Sequence, residues 1–381
     1  MQKNIPERPS FLMVTDTAMV CKDDKVYAFG PVVRELDVFL ELFGTVRWIG
    51  FDRPDLCDDP VMLPVPEAVQ CILLQRSGGD SLLKKGGVLA RVPWMGWQIL
   101  RQVVRHEAIH TRAPSSPAFI AALLSFFFRK KIWWHKYAGN WGQEGPPFFY
   151  GLQRAWLKKA TWGKATINGC WPEQPAHCLS FDNPCLSEEE RSAGRKVLES
   201  KSFDGPLNIC FTGHLSIPKG ANYLLEALPL WSSRGLLGAV HIVGDGPLRT
   251  KFEQIADQLD YPLILHGYLP GKGVAKVMAA CHLQVLPSRS EGFPKVIAEG
   301  ANYGCVPVVS DISAIGQTVQ HGVHGFLLSP DRIQAGYLAE DTAAILRAPN
   351  LAELAWAAYQ LAERFTFERY KERIQREILA V

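Results

Sequence analysis

The sequence predicts an α/β protein of two doubly wound domains, each a largely parallel sheet covered by helices. Three observations lead there: the length, a regular alternation of strand and helix patterns in the C-terminal half, and a looser alternation in the N-terminal half. A chain of 381 residues exceeds what one compact core usually holds, which favours two domains.

The C-terminal half reads clearly. Leu207–Thr212 is followed by a helical pattern over Gly220–Trp231, Ala239–Val243 by Leu248–Leu259, and Leu263–Gly267 by Val274–Cys281. Leu283–Pro287 then precedes Lys295–Tyr303, and Val306–Ser310 closes the series. Strands joined by single helices require right-handed crossovers and hence a parallel sheet. The runs are continuously apolar, as strands covered on both faces should be. In the N-terminal half, Phe11–Thr15 and Val46–Phe51 look like strands around a helix near Val32–Leu42. An apolar run at Cys71–Leu74, a helix at Ala118–Phe127 and a strand at Lys131–His135 follow. The Pro- and Glu-rich stretch Asn183-Pro-Cys-Leu-Ser-Glu-Glu-Glu190 marks the expected boundary, giving domains of 1–183 and 184–365. Residues 366–381 should form a charged amphipathic helix that packs back on the first domain.

Composition narrows the class. With 47% hydrophobic and 21% charged residues, the chain has an ordinary globular balance. Its longest apolar run, Ala118–Phe128, is too short for a membrane span. The opening Met-Gln-Lys-Asn-Ile-Pro lacks the apolar centre of a signal peptide, so the expected location is the cytoplasm. Nine cysteines without a CxxC pair fit reduced thiols. Cys170, His177, Cys178 and Cys185 cluster too loosely to read as a zinc site. Between Arg76 and Lys164 the balance is +12, against a total of +3. That segment is also dense in aromatics, including Phe126–Phe128, Trp133 and Trp134. Such a combination points to a polyanionic or membrane-surface partner, and no nucleic-acid signature accompanies it.

The chemistry concentrates in Ser288-Arg-Ser-Glu-Gly-Phe-Pro-Lys-Val-Ile-Ala-Glu299. A strand ends just before it, and Pro294 suits the first position of a new helix. Free N–H groups and the positive end of the helix dipole then form an anion site at the sheet's carboxyl edge. Glu291 lies in the turn, and Glu299 lies a turn into the helix among Ile297, Ala298 and Ala301. A carboxylate in that apolar company needs a partner, and paired sugar hydroxyls would serve. Two solvated glutamates are the bland alternative.

Glu291 and Glu299, with seven residues between them, resemble the Glu-x7-Glu motif of the retaining glycosyltransferases of family four, which have the GT-B fold. Phe211-Thr-Gly-His-Leu-Ser-Ile-Pro-Lys-Gly220, Val243-Gly-Asp-Gly-Pro247, Gly304-Cys-Val-Pro-Val-Val-Ser-Asp311 and Gly322-Val-His-Gly-Phe326 are similar to that family too. The likeness is dense from Leu207 to about Pro330 and weak in the N-terminal half. It implies two Rossmann-like domains facing across a cleft. It also implies transfer, with retention, of a hexose-type sugar from a nucleotide diphosphate sugar, UDP favoured. The acceptor would be a glycan or a lipid-linked molecule in cell-surface polysaccharide or glycolipid synthesis. The resemblance implies no cofactor and no obligatory metal, and no Asp-x-Asp pair is present to hold one. Attachment at the inner face of the membrane would fit a lipid-linked acceptor.

Residue by residue, the resemblance implies that Glu299 binds the ribose hydroxyls and Glu291 the donor sugar. Lys219 would neutralise the diphosphate. Gly213, Gly292, Phe293, Pro294 and Lys295 would lie against the donor, and the backbone of Tyr268 and Leu269 would read the base. His214 stands where the family usually has an arginine, and an imidazole lacks the guanidinium's fork and permanent charge. In Ile109-His110-Thr-Arg112-Ala-Pro114 the position that usually holds a sugar-contacting histidine is Arg112, with His110 two residues earlier. Both are expected at the reacting centre. The family's Gly-Gly turn after the first strand is missing: Asp16-Thr-Ala-Met-Val20 stands there.

Two other classes compete. A nicotinamide-dependent dehydrogenase would need GxGxxG after the first strand, and Gly244-Asp-Gly246-Pro-Leu-Arg249 lacks the third glycine. A degenerate GT-B subunit that binds nucleotide sugar or a partner without turnover is favoured by the missing arginine and opposed by Glu291, Glu299 and Lys219.

Overall fold

The structure, a computed structural model, describes residues 8–75, 82–231 and 236–380. Residues 1–7, read above for a leader, lie outside these, as do Arg76 and Asp80 of the basic segment. The chain divides into two compact units, Met1–Phe181 with Tyr370–Val381, and Asp182–Arg369.

In the first unit, β1 (Ser10–Lys22) turns back into β2 (Lys25–Phe29). Asp23 and Asp24 make the turn with φ of 50° and 59°, the left-handed pair that a two-residue hairpin needs. The stretch Asp16–Val20, where the family's Gly-Gly turn is missing, continues the strand, with a register shift between Val14 and Ala18. Short helices α1 (Gly30–Val33) and α2 (Leu36–Leu42) lead to β3 (Thr45–Asp52), followed by β4 (Met62–Pro64) and β5 (Val69–Gln75). Then come α3 (Leu82–Arg105), β6 (Ala108–Ala113), α4 (Ser116–Leu124), β7 (Ile132–Tyr137), α5 (Phe148–Lys159), β8 (Lys164–Ile167) and β9 (Cys178–Ser180). The parallel part runs β5-β3-β1-β6-β7-β8-β9, and β2 and β4 extend it as antiparallel strands. Helices α3, α4 and α5 join strands that step in one direction across the sheet, so right-handed crossovers place all three on one face. Alternation along β7 sends Trp133 to that face, against Ile99 and Ala121. It sends Trp134 to the opposite face, 5.9 Å from Phe39 and 6.1 Å from Tyr370. Both indoles are thus buried in the core, and neither is available to a membrane.

The second unit opens with α6 (Glu188–Ser200). Its Ser187 and Glu190 form a reciprocal capping box, so the Glu-rich stretch expected as a boundary is in part a helix start. The elements that follow are β10 (Leu207–Thr212), α7 (Ala221–Ala227), β11 (Leu237–Val243), α8 (Arg249–Ala256), β12 (Leu263–Gly267), α9 (Gly271–Ala280), β13 (Leu283–Leu286), α10 (Lys295–Asn302), β14 (Val306–Ser310), α11 (Ile315–Thr318) and β15 (Phe326–Leu328). Helices α12 (Ala335–Ile345) and α13 (Leu351–Ala362) cover the sheet. All six strands are parallel in the order β12-β11-β10-β13-β14-β15, which is the doubly wound dinucleotide-fold order with its switch point between β10 and β13. Their central side chains, such as Ile209, Phe211, Val285 and Val308, are fully buried, each contributing roughly 1.5–3 kcal/mol by leaving water.

Helix α14 (Phe367–Arg373), followed by a π-helical turn over Ile374–Leu379, carries the chain from the second unit's span into the first unit's. Within the first unit, Tyr370 packs on Phe39, Trp134 and Phe181, and the Arg373 guanidinium donates to Ser180 O at 2.7 Å.

Candidate functional site

Two loops meet at the switch point of the second unit. The one after β10 passes through Gly213 and a single turn, Ile217–Lys219, to Gly220 at the start of α7. The one after β13 runs from Ser288 to Pro294 and enters α10. Gly220 adopts φ 72°, and a Cβ there would lie 1.9 Å from Pro287 O. Only glycine allows the two loops to approach so closely. The Arg289 N–H donates to Pro218 O at 2.9 Å and ties them together. This contact brings Lys219 Nζ within 2.5 Å of Glu291 Oε1, which also accepts from Ser288 Oγ at 3.2 Å. Ser288 is buried and the Glu291 side chain nearly so, which keeps the pair partly dry and strengthens it relative to a surface pair.

α10 forms because Ile297, Ala298 and Ala301 share one face and pack into the core. Pro294 is its N-cap, with extended backbone (φ −75°, ψ 118°), so the first helical residue is Lys295 and not the proline. No side chain caps this end, so the first N–H groups lack a carbonyl within the helix, as the geometry of any helix start requires. The Phe293 ring stacks on Phe365 at 4.8 Å, which fixes the turn and leaves its backbone at the edge. Glu299 is half-buried one turn further on. Because the strands are parallel, the loops after β11 and β12 open on the same carboxyl edge. Their ends are drawn together by glycines: Gly213 N donates to Val243 O at 2.9 Å and Gly244 N to Gly267 O at 2.8 Å. A Cβ on Gly244 would lie 2.0 Å from Gly213 O. His214 is exposed there, with Tyr268 exposed and Leu269 half-buried after β12. The second unit therefore brings Lys219, Glu291, Glu299, His214 and the Gly292–Lys295 turn to one edge.

The first unit treats its two expected residues differently. His110 is fully buried on β6, its ring 3.9 Å from that of Trp134 and its Nδ1 3.1 Å from Trp134 O. Burial pushes its imidazole well below the ordinary range and keeps it neutral. A side chain closed off from solvent cannot reach a sugar, so the expectation of a catalytic His110 is corrected: it is a core residue. Arg112, two residues further toward the carboxyl end of β6, is paired with Glu35. Glu35 also lies 3.6 Å from Lys136 Nζ, making a nearly buried cluster of one carboxylate and two cations. Glu35 and Lys136 carried no motif. The Lys219–Glu291 pair, 72 residues apart, was equally unmarked.

All nine cysteines are free. Among the described residues no group of three or more His, Cys, Asp or Glu side chains could hold a metal ion.

A doubly wound unit that gathers a cation, two carboxylates and a helix N-terminus at its switch point has groups that could bind an anionic ligand bearing hydroxyl groups. Residues 206–348 match the sequence family described as Glycosyl transferases group 1. Over 186 residues the chain is 27% identical to an alpha-D-kanosaminyltransferase of Streptomyces kanamyceticus, covering 48% of each protein. Over 147 residues it is 29% identical to an uncharacterized glycosyltransferase of Methanocaldococcus jannaschii, covering 38% of this chain and 37% of that one. The chain thus matches less than half the length of these relatives. Among solved structures, Anabaena HepE in complex with UDP has a TM-score of 0.66 at 17% identity, covering 98% of this chain and 100% of that one. An alpha,alpha-trehalose-phosphate synthase from Burkholderia xenovorans has a TM-score of 0.66 at 12% identity, covering 97% and 100%. The fold is GT-B.

Proposed function

We propose that the protein is a retaining glycosyltransferase of family four that transfers a hexose-type sugar from a nucleotide diphosphate sugar. The observation that carries this reading is the Lys219–Glu291 pair, held beside the α10 N-terminus and Glu299 at the switch point. On this reading the donor diphosphate lies against the first N–H groups of α10 and draws Lys219 away from Glu291. The freed carboxylate then accepts hydrogen bonds from sugar hydroxyls, and Glu299 accepts from the ribose. Lys219, His214 and the helix dipole offset the charge that develops on the departing diphosphate, so the reaction requires no metal of its own. Arg112, at the carboxyl end of β6, is a candidate for the reacting centre only if the donor or acceptor releases it from Glu35. Uridine is the favoured base, supported by the UDP in the HepE complex. The acceptor is a glycan or a lipid-linked molecule, and the site of action is the cytoplasm.

A thermal-shift screen of nucleotides and nucleotide sugars tests the donor. A ligand at 100 times its Kd adds about 2.7 kcal/mol to stability, so UDP and its sugars should raise the melting point where adenosine diphosphate does not. Release of UDP during incubation with the bound sugar nucleotide then separates an enzyme from a subunit that binds without turnover.

A further inference from the structure

The helix layer formed by α3, α4 and α5 carries an apolar, basic surface that the donor site does not use. Of the twenty exposed large apolar side chains among the described residues, eleven fall between Val92 and Leu152. That concentration is what a chance scatter of surface hydrophobics would not give. On α3, Met95, Ile99 and Val103 face the core, and Trp94, Trp97 and Arg101 line the outer side at helical spacing. Trp97 is 61% exposed. On α5, Gln153 and Leu157 turn inward, and Phe148 and Phe149 stand 76% and 65% exposed at its first turn. The two helices flank α4: Met95 and Ile99 share a core with Ala121, and the Trp156 indole donates to Ala122 O at 2.9 Å. Phe127, 75% exposed, projects where α4 ends.

Charge defines what covers this face. Arg101, Arg105, Arg129, Lys130, Lys158 and Lys159 are exposed along the same layer. The exposed acids between positions 92 and 164 are Glu107, which is engaged by Ser10, and Glu144. Tryptophan and phenylalanine beside lysine and arginine match the boundary of an anionic bilayer, where rings settle among the headgroups and cations meet phosphates. Among the described residues no helix is long and apolar enough to cross a membrane, so contact would be with its surface.

We propose that the α3–α4–α5 layer docks on an anionic lipid bilayer through Trp94, Trp97, Phe148 and Phe149, with the surrounding lysines and arginines on the lipid phosphates. The anchors are thus not Trp133 and Trp134, which the basic, aromatic sequence had suggested. Docking is independent of the donor site, so it can fail while sugar transfer stands.

Flotation of the full chain with phosphatidylcholine vesicles, with and without phosphatidylglycerol, tests this. The wild-type chain should float with the anionic vesicles at low salt, stay down with neutral ones and dissociate at high salt. Joint replacement Trp94→Ser, Trp97→Ser, Phe148→Ser and Phe149→Ser should lower partitioning roughly tenfold or more, since these rings supply the buried apolar area. Arg129→Glu with Lys130→Glu should weaken it at low salt. All four aromatics are exposed, so the replacements should leave melting and UDP binding unchanged, and Glu299→Ala should float like wild type. Failure of the wild-type chain to float, or flotation that survives the aromatic replacements, would overturn the proposal. So would a dimer in solution that those replacements dissolve, because the face would then belong to a second copy.

Discussion

Replacing Gly220 with alanine probes the closeness of the two site loops more directly than removing a charged group. Two costs add. A left-handed backbone at φ 72° costs an alanine roughly 1–2 kcal/mol. The new Cβ, 1.9 Å from Pro287 O, must also move out by about 1 Å to reach a tolerable 3.0 Å, an overpacking that costs about 1–3 kcal/mol. The expected loss is therefore about 2–5 kcal/mol, or roughly 5–15 °C in melting temperature for a unit of this size. Gly322 supplies the control. Its φ is 73° with nothing within 4 Å of a Cβ, so Gly322→Ala bears the first cost alone, about 1–2 kcal/mol. Scanning calorimetry of both variants separates the terms, and a UDP titration reads the site. Parting the loops carries Lys219 away from the α10 N-terminus, where the diphosphate is proposed to lie, so Gly220→Ala should also lose about a decade in UDP affinity, equivalent to about 1.4 kcal/mol. Equal melting temperatures for the two variants, or unchanged UDP affinity in Gly220→Ala, would refute the packing argument.

Other consequences follow from the charges. His214→Arg places a forked, permanently charged donor at that position, so turnover should rise; unchanged turnover would remove His214 from leaving-group stabilisation. His110 and His135 are buried and neutral, His135 with its pKa pushed down to about 3. Unfolded histidines take up protons below about pH 6.5 while these cannot, so stability should fall as pH drops from there toward 4, by up to about 1.4 kcal/mol per pH unit for each. His135→Gln should flatten that slope in denaturant titrations at pH 5 and 7, and an unchanged slope would count against it. Arg112→Met removes one of the two cations beside Glu35, the other being Lys136 at 3.6 Å, and should destabilise the first unit by roughly 1–3 kcal/mol, as expected when a buried charge loses a partner.

The second unit was legible because continuous apolar runs between turn signals mark parallel strands without ambiguity. Leu207–Thr212, Leu263–Gly267 and Val306–Ser310 coincide with β10, β12 and β14 to the residue. The first unit was harder for identifiable reasons. The β1–β2 hairpin turns on Asp23-Asp24 with no glycine to announce it. Its strand β7 is covered on both faces, so Trp133 and Trp134 both enter the core although one of two adjacent strand residues usually meets solvent. The same double cover buries His110. Motif spacing could place Glu291 and Glu299 on a turn and a helix. It could not show that Gly220 brings Lys219 onto Glu291, because that contact depends on how two loops close across the sheet's switch point.

The central claim is that this carboxyl edge of the second unit holds a nucleotide sugar through Glu299. Isothermal titration of UDP-glucose into the wild-type chain and into Glu299→Ala measures it. Glu299 is half-buried and lies outside the buried set of α10, so the variant should fold. The loss of a charge-assisted hydrogen-bonded pair should cost about 1.5–3 kcal/mol, which lowers affinity by roughly one to two decades. A folded Glu299→Ala chain that binds UDP-glucose as tightly as wild type would contradict the account.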